Sequence, residues 1–391
     1  MTSGESSSTL PQLNPELARH AAAVAAAVRA AIEAQGGWLA FDDYLRLVLY
    51  APALGYYSAG SVKFGAGGDF VTASELSPLY AHCMAVQCAA LLQTVGGDVL
   101  ELGAGTGRFA TGVLERLAEL ERLPDHYYIL EVSADLRARQ AEAVQVLPEA
   151  LRRRVAWLEA LPAVPMKGVV LANEVADALP FQRFLIDSDA VYERGVGIGA
   201  DGALIDVDRP ASAALRAELD RIAPAGWPVR YQSELCPMLG PWIAAIAAAL
   251  ACGAVFLIDY GLPRHEYYHW QRDHGTLRCH YRHRAHDDPL LYPGLQDITA
   301  WVDFTRVAEA ADDAQLTLAG YCTQAAFLLS NGIEAELAAA ADGVQRARLA
   351  SQARMLLLPA EMGERFKVMA LTRGFDEPMR GFALQDLRGS L

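Results

Sequence analysis

Lysine is all but missing from this chain of 391 residues: Lys63, Lys167 and Lys367 are the only ones among 33 basic residues. We read that preference for arginine as a genomic composition bias. With 47 acidic residues the formal net charge is −14, which excludes a surface broadly attractive to nucleic acid or anionic lipid. Cysteine is sparse too. Cys83, Cys88, Cys236, Cys252, Cys279 and Cys322 form no CxxC pair, which excludes a disulfide framework and fits a reducing compartment. Cys279, His280, His283 and His286 lie close in sequence, but no second cysteine pair completes a zinc pattern, so no metal is expected. Residues 1–15 lack Arg, Lys and an apolar core, which argues against both a secretory signal and an Arg-rich transit peptide. A bacterial cytoplasm is the expected setting, ahead of a mitochondrial matrix.

Long hydrophobic runs are equally few. The stretch from Leu235 to Ile258 carries no charge, but Pro237, Gly240, Pro241 and Gly253 interrupt it and its centre is alanine. It reads as a helix over Trp242–Ala251, a turn at Gly253 and a buried strand Ala254–Ile258 rather than as a membrane span. What is abundant is apolar residues in general, 53% of the chain, enough for one large α/β domain with insertions or for two domains, and too many for disorder.

Strand and helix patterns alternate along most of the sequence. Strands are expected at Val99–Leu102, Tyr127–Glu131, Gly168–Ala172, Ala254–Ile258, Leu316–Tyr321 and Phe366–Thr372, with helices at Phe109–Glu121, Ala134–Val144 and Phe304–Asp312. Asp303 is the expected N-cap of the last. Such alternation predicts a mostly parallel sheet covered on both faces. Residues 1–14 read as a loose tail, 15–94 as a helical and loop-rich covering region, 95–375 as the core and 376–391 as a C-terminal tail. Within the core, insertions are expected at about 181–250, with a hairpin, and at 325–362, helical. Tyr44 to Pro78, dense in glycine, proline and aromatics, reads as ordered loops.

The chemistry sits in VLELGAGTGRF, Val99 to Phe109. A dinucleotide fingerprint starting at Gly103 needs a glycine where Arg108 stands. Glycines at 103, 105 and 107, preceded by Glu101, instead resemble motif I of class I S-adenosylmethionine (SAM) methyltransferases. Missing Cβ atoms let the backbone pass under a cofactor, and the helix that follows offers N–H groups to its carboxylate. Glu131, ending the next strand, is placed to accept both ribose hydroxyls. At the end of Gly168–Ala172, LANEVADALP supplies Asn173, Glu174 and Asp177. Two carboxylates three apart can clamp a guanidinium by fork-like hydrogen bonds. The plainer alternative has Asp177 capping a helix and Glu174 in solvent.

Taken together, PALGYY, GDFVTASELSPLY, VLELGAGTGRFA, ILEVSADLRARQ, LANEVADALPFQRF, LIDYG, GTLRCHYRHRAHDDP, PGLQDITAWVDF and MGERFKV resemble, in order, the MidA-type family of SAM-dependent methyltransferases. That family includes the mitochondrial complex I assembly methyltransferase. The resemblance implies a Rossmann-like fold with a seven-stranded sheet, SAM as cofactor with S-adenosylhomocysteine as product, and an arginine of a protein as acceptor. It implies cofactor contacts at Glu101, Gly103, Ala104, Gly105, Gly107, Glu131, Val132, Asn173, Gly68 and Thr72. Catalytic roles fall to Glu174, Asp177 and Asn173. Acceptor contacts fall to Tyr57, Asp69, Glu75, Asp259 and Tyr260, and the basic segment Arg272–His286 is read as a loop over the site or against a partner. The sequence departs from the family at Ala73-Ser74 and at Val175-Ala176, where many relatives carry aromatic bulk. A SAM-binding assembly chaperone with little turnover and a small-molecule methyltransferase are the alternatives, and a homodimer is left open.

Overall fold

The computed structural model describes residues 10–59, 72–188, 190–223 and 226–391. Its strands, in chain order, are β1 (Asp98–Leu102), β2 (Tyr127–Leu130), β3 (Val155–Leu158), β4 (Met166–Asn173), β5 (Gln182–Asp187), β6 (Ala190–Ile198), β7 (Leu204–Pro210) and β8 (Arg230–Leu235). They continue with β9 (Leu250–Leu262), β10 (Arg278–Tyr281), β11 (Arg284–His286), β12 (Asp297–Thr299), β13 (Val302–Asp303), β14 (Thr317–Thr323) and β15 (Phe366–Arg373).

The central sheet runs β14-β15-β9-β4-β1-β2-β3, with β13 beside β9. Strands β3, β2, β1, β4 and β9 are parallel, and β15 is antiparallel to both neighbours. Neighbouring residues on the central strands point into different apolar layers. Val99, Val169 and Phe256 face helices Pro78–Val95 and Arg108–Glu119, whereas Leu100, Val170 and Val255 face helices Leu239–Ala249 and Phe304–Asp313. Burial on both faces accounts for the unbroken apolar run of β4, because a parallel interior strand has no wet side. The chain order reverses between β1 and β4, the point at which such sheets open a crevice at their carboxyl ends.

All six expected strands and all three expected core helices are present within a few residues. Asp303 caps its helix, accepting from the Arg306 N–H at 3.1 Å. Five features differ. Gly253 is not a turn: β9 runs straight through it, and a Cβ there would lie 1.9 Å from the Gly168 oxygen. The strand β3 went unread because its four residues are all half-buried and lack alternation. The expected hairpin is part of a four-stranded antiparallel sheet, β7-β6-β5-β8. The basic segment, expected as a loop, is the hairpin β10–β11, paired through β10 to β12. The start of the segment expected as loops, from Tyr44, is instead the end of helix Phe41–Leu45 and a π-helical turn Arg46–Tyr50, which bury Tyr44, Val48 and Leu49.

Two peripheral parts bear on the site. Helix Pro15–Ala34 starts at Asn14, whose side chain accepts from the Leu17 N–H at 2.8 Å, and packs Val24, Val28 and Ile32 with Tyr44, Phe181, Cys279 and Ile298. The N-terminal region and the inserted β10–β12 sheet thus share one apolar cluster. At the far edge, the Leu387 N–H donates to the Tyr321 oxygen at 2.7 Å and Phe382 packs on Phe327, so residues near the C-terminus cover edge strand β14.

Candidate active site

Strands β1, β2, β4 and β9 deliver their carboxyl ends to one cleft.

The loop after β1 forms the cleft floor. Gly103, Gly105 and Gly107 all have positive φ, at 65°, 53° and 87°. A Cβ on Gly105 would meet nothing within 4 Å, whereas one on Gly107 would approach the Cα of Gln140 at 3.1 Å. The first glycine therefore leaves space for a ligand and the second lets a neighbouring helix close in. Glu101, 2% exposed, accepts from the Tyr127 hydroxyl at 2.7 Å; burial nonetheless pushes its carboxyl up to about 8. Glu131 accepts from the Ser133 N–H and from Gln140 Nε2, both at 2.9 Å. Val132, largely exposed, forms the adjoining rim.

The opposite wall comes from β4. Asn173 accepts from the Tyr80 hydroxyl and donates to Glu174 Oε1 at 3.2 Å. Glu174 then turns at φ 55°, a strained value for a non-glycine residue, while its N–H donates to the Ile258 oxygen at 2.8 Å. Asp259 holds this turn from behind. Its Oδ2 accepts from the backbone N–H groups of Val175, Ala176 and Asp177 at 2.9–3.2 Å, and its Oδ1 from that of Tyr260 at 2.9 Å. Burial, opposed by these donors, leaves Asp259 at about 7. Burial and the neighbouring Asp259 raise Glu174 to about 8. Asp177 is raised well above the ordinary carboxylate range by burial, then by Asp259, Asp297 and Glu174. Four backbone donors favour the ionised form of Asp259, whereas burial and three acidic neighbours favour the protonated form of Asp177.

The structure brings Glu101, Gly103, Ala104, Gly105, Glu131, Val132, Asn173, Glu174, Asp177, Tyr57, Thr72, Glu75 and Tyr260 to the cleft. Neither plain alternative for the acids holds: Asp177 is buried in a turn that starts no helix, and Glu174 is half-buried in the cleft wall rather than on the open surface. Asp259, expected to touch the acceptor, stands behind the wall and is spent on backbone donors. Gly107 likewise faces a helix rather than the cleft. Thr72 caps the short helix Ala73–Leu76, and Glu75 accepts from the Thr106 hydroxyl and lies 3.4 Å from Arg108. Gly68 and Asp69 fall outside the described residues. Tyr56 belongs to the core, whereas Tyr57 donates to Asp297 Oδ1 at 2.6 Å.

Tyr50, His280, Asp297 and Thr299 also line the cleft and were not read from the sequence as site residues. They lie far from motif I in the chain, and their only signal was membership of stretches already noted. Burial, then His286 and Arg278, lower His280 below its ordinary value. No lysine or arginine lines the cleft among the described residues.

The floor fits a SAM-like ligand: an open glycine loop, a buried acid beneath it and a second acid at the neighbouring strand end. Comparison with known proteins agrees. The model of a family described as S-adenosyl-L-methionine-dependent methyltransferase matches residues 83–322, more than half of the chain. The chain belongs to that family. A Burkholderia thailandensis protein solved with S-adenosyl-homocysteine bound is 44% identical, with a TM-score of 0.94 over 98% of this chain and all of that one. The cofactor of this methyltransferase is therefore SAM. Among curated proteins, Protein arginine methyltransferase NDUFAF7, mitochondrial, of Danio rerio is 28% identical over 86% of this chain and 83% of its own length. The corresponding Drosophila melanogaster homolog is 29% identical over 85% and 81%. The methyltransferase thus spans most of each relative.

Proposed function

We propose that this methyltransferase transfers a methyl group to a guanidinium nitrogen of an arginine in a protein substrate. The observation that carries this reading is the β4 wall, where Glu174 is half-buried and Asp177 buried, both are displaced toward their protonated forms and neither faces a described lysine or arginine. Burying carboxylates without a counter-charge is costly. A planar cation with paired N–H donors relieves that cost by charge-assisted, bidentate hydrogen bonds. Tyr50, Tyr57 and Tyr260 give aromatic surface against which such a plane can lie. The curated relatives, named as protein arginine methyltransferases, support the same acceptor class.

Bound SAM supplies a methyl group on a positively charged sulfur. The chain's own work is alignment, which contributes up to about 7–11 kcal/mol when geometry is near ideal. Glu174 and Asp177, ionised when the cation binds, hold the guanidinium so that one nitrogen faces the methyl, and one of these two carboxylates takes the proton that this nitrogen releases. Asn173, fixed by Tyr80, sets the direction of Glu174.

The test is labelled SAM with a cell extract, followed by acid hydrolysis of the labelled protein. Methylarginine is expected, and Glu174→Gln and Asp177→Asn should each remove at least 100-fold of the rate while S-adenosylhomocysteine still binds. Label confined to small molecules would favour a small-molecule acceptor. No label despite tight cofactor binding would favour a partner-holding assembly role. The family resemblance makes a respiratory complex I subunit the first purified protein to try.

A further inference from the structure

Gln140 lies on helix Ala134–Gln145 and is fully buried. A polar side chain so placed must have its hydrogen-bonding capacity met, and here the partners are informative. Its Nε2 donates to the Gly105 oxygen at 3.0 Å and to Glu131 Oε2 at 2.9 Å. Its Oε1 accepts from the indole N–H of Trp157 at 3.0 Å. The indole can only donate and the carbonyl and carboxylate can only accept, so these three partners fix which end of the amide is which.

The same helix meets the glycine loop a second time. The Cβ that Gly107 lacks would fall 3.1 Å from the Cα of Gln140 and 3.3 Å from the Cβ of Ala143. Gln140 therefore touches the loop by backbone contact at Gly107 and by hydrogen bond at Gly105. It touches the acid at the end of β2 by a second hydrogen bond. Trp157, on edge strand β3, orients the whole arrangement from outside the cleft.

We propose that Gln140, oriented by Trp157, is a positioning residue for the cofactor, locking the Glu131 carboxylate and the Gly103–Gly107 loop to each other so that the site selects a ribonucleoside over a deoxyribonucleoside. The proposal rests on Glu131 as the partner of the ribose hydroxyls. The Ser133 N–H and Gln140 occupy one position on each carboxylate oxygen, which fixes the plane of the group. A fixed plane sets the direction in which the carboxylate oxygens meet a pair of ribose hydroxyls. Without Gln140 the carboxylate swings, and the Gly105 carbonyl and the Trp157 N–H lose their buried partner.

Isothermal titration of the full chain with S-adenosylhomocysteine and with its 2′-deoxy analogue tests this. The wild type should prefer the ribonucleoside at least tenfold. Gln140→Met, close in shape but without donors, should weaken S-adenosylhomocysteine binding roughly ten- to hundredfold and bring the preference close to one. A merely structural role would weaken both ligands alike and leave the preference intact, and that result overturns the proposal. Should Gln140→Met not fold, Trp157→Phe removes only the orienting donor and should reduce the preference at least threefold; an unchanged preference overturns the proposal. Glu131→Gln separates the two layers. If it abolishes the preference and Gln140→Met does not, Gln140 alone is misassigned; if it leaves the preference unchanged, the ribose assignment of Glu131 falls and this proposal with it.

Discussion

Glu174 combines three costs in one residue: a left-handed backbone, a partly desolvated carboxyl and acidic neighbours. These make its effect on stability depend on pH with a definite sign. Its folded-state value of about 8 lies above the 4.5 of an ordinary glutamate, so the folded chain keeps this proton after the unfolded chain has lost it. The stabilising effect is present at low pH and lost as pH rises through about 4.5 to 8, at about 1.4 kcal/mol per unit. Glu174→Gln removes that loss. In urea unfolding, the wild type should fall behind the variant by a few kcal/mol between pH 5 and pH 8.5. Parallel curves would mean that the carboxylate is well solvated. At this scale the sequence was readable for residue type and not for surroundings. Glu174 and Asp177 could be named as candidates, but the proton each holds depends on Asp259 and Asp297, more than 80 residues away.

The loop after β1 and the turn after β4 behave as elements with separate jobs for neighbouring residues. Gly105 and Gly107 share positive φ but differ in what a side chain would meet. Gly107→Ala should cost about 1–2 kcal/mol for the left-handed backbone, plus the contact with Gln140, and lower the melting temperature clearly. Gly105→Ala bears the backbone cost alone, while its methyl group enters the cleft, so cofactor affinity should fall further than stability does. Calorimetry beside thermal melting separates the two, and equal effects on both readouts would contradict the assignment. Asp259→Asn tests the turn. Replacing a carboxylate oxygen that accepts from three backbone N–H groups should cost about 2–4 kcal/mol by urea unfolding. The glycine spacing made the loop legible, because close backbone approach admits few other residues. The turn was legible only as a motif: nothing local in LIDYG tells that Asp259 looks backward instead of into the cleft.

Across the molecule, the sheet is closed by parts distant in sequence. Strand β14 would be an open edge without the residues near the C-terminus, whose Phe382 lies where a Cβ on Gly320 would have been and meets Phe327 edge to face. Phe382→Ala should destabilise the protein by about 3 kcal/mol in urea, with cofactor affinity unchanged because neither Phe382 nor its partner Phe327 lines the cleft. A loss of cofactor binding without loss of stability would show that this edge reports to the site. At the other side, the helix Pro15–Ala34 and the β10–β12 sheet bury a common apolar cluster, and from there Tyr57 and Asp297 reach the cleft.

The sequence alone determined the strand and helix alternation, the class of fold and the identity of the cofactor site. Those follow from short-range rules: apolar runs long enough for buried parallel strands, and glycines where a backbone must pass under a ligand. Tertiary structure decided which acids share a wall, which are charged, and how Gln140, Trp157, Tyr57 and Asp297 enter the site. Those depend on desolvation and on pairings between residues tens to hundreds of positions apart, and no local pattern encodes the distance across which two such side chains meet.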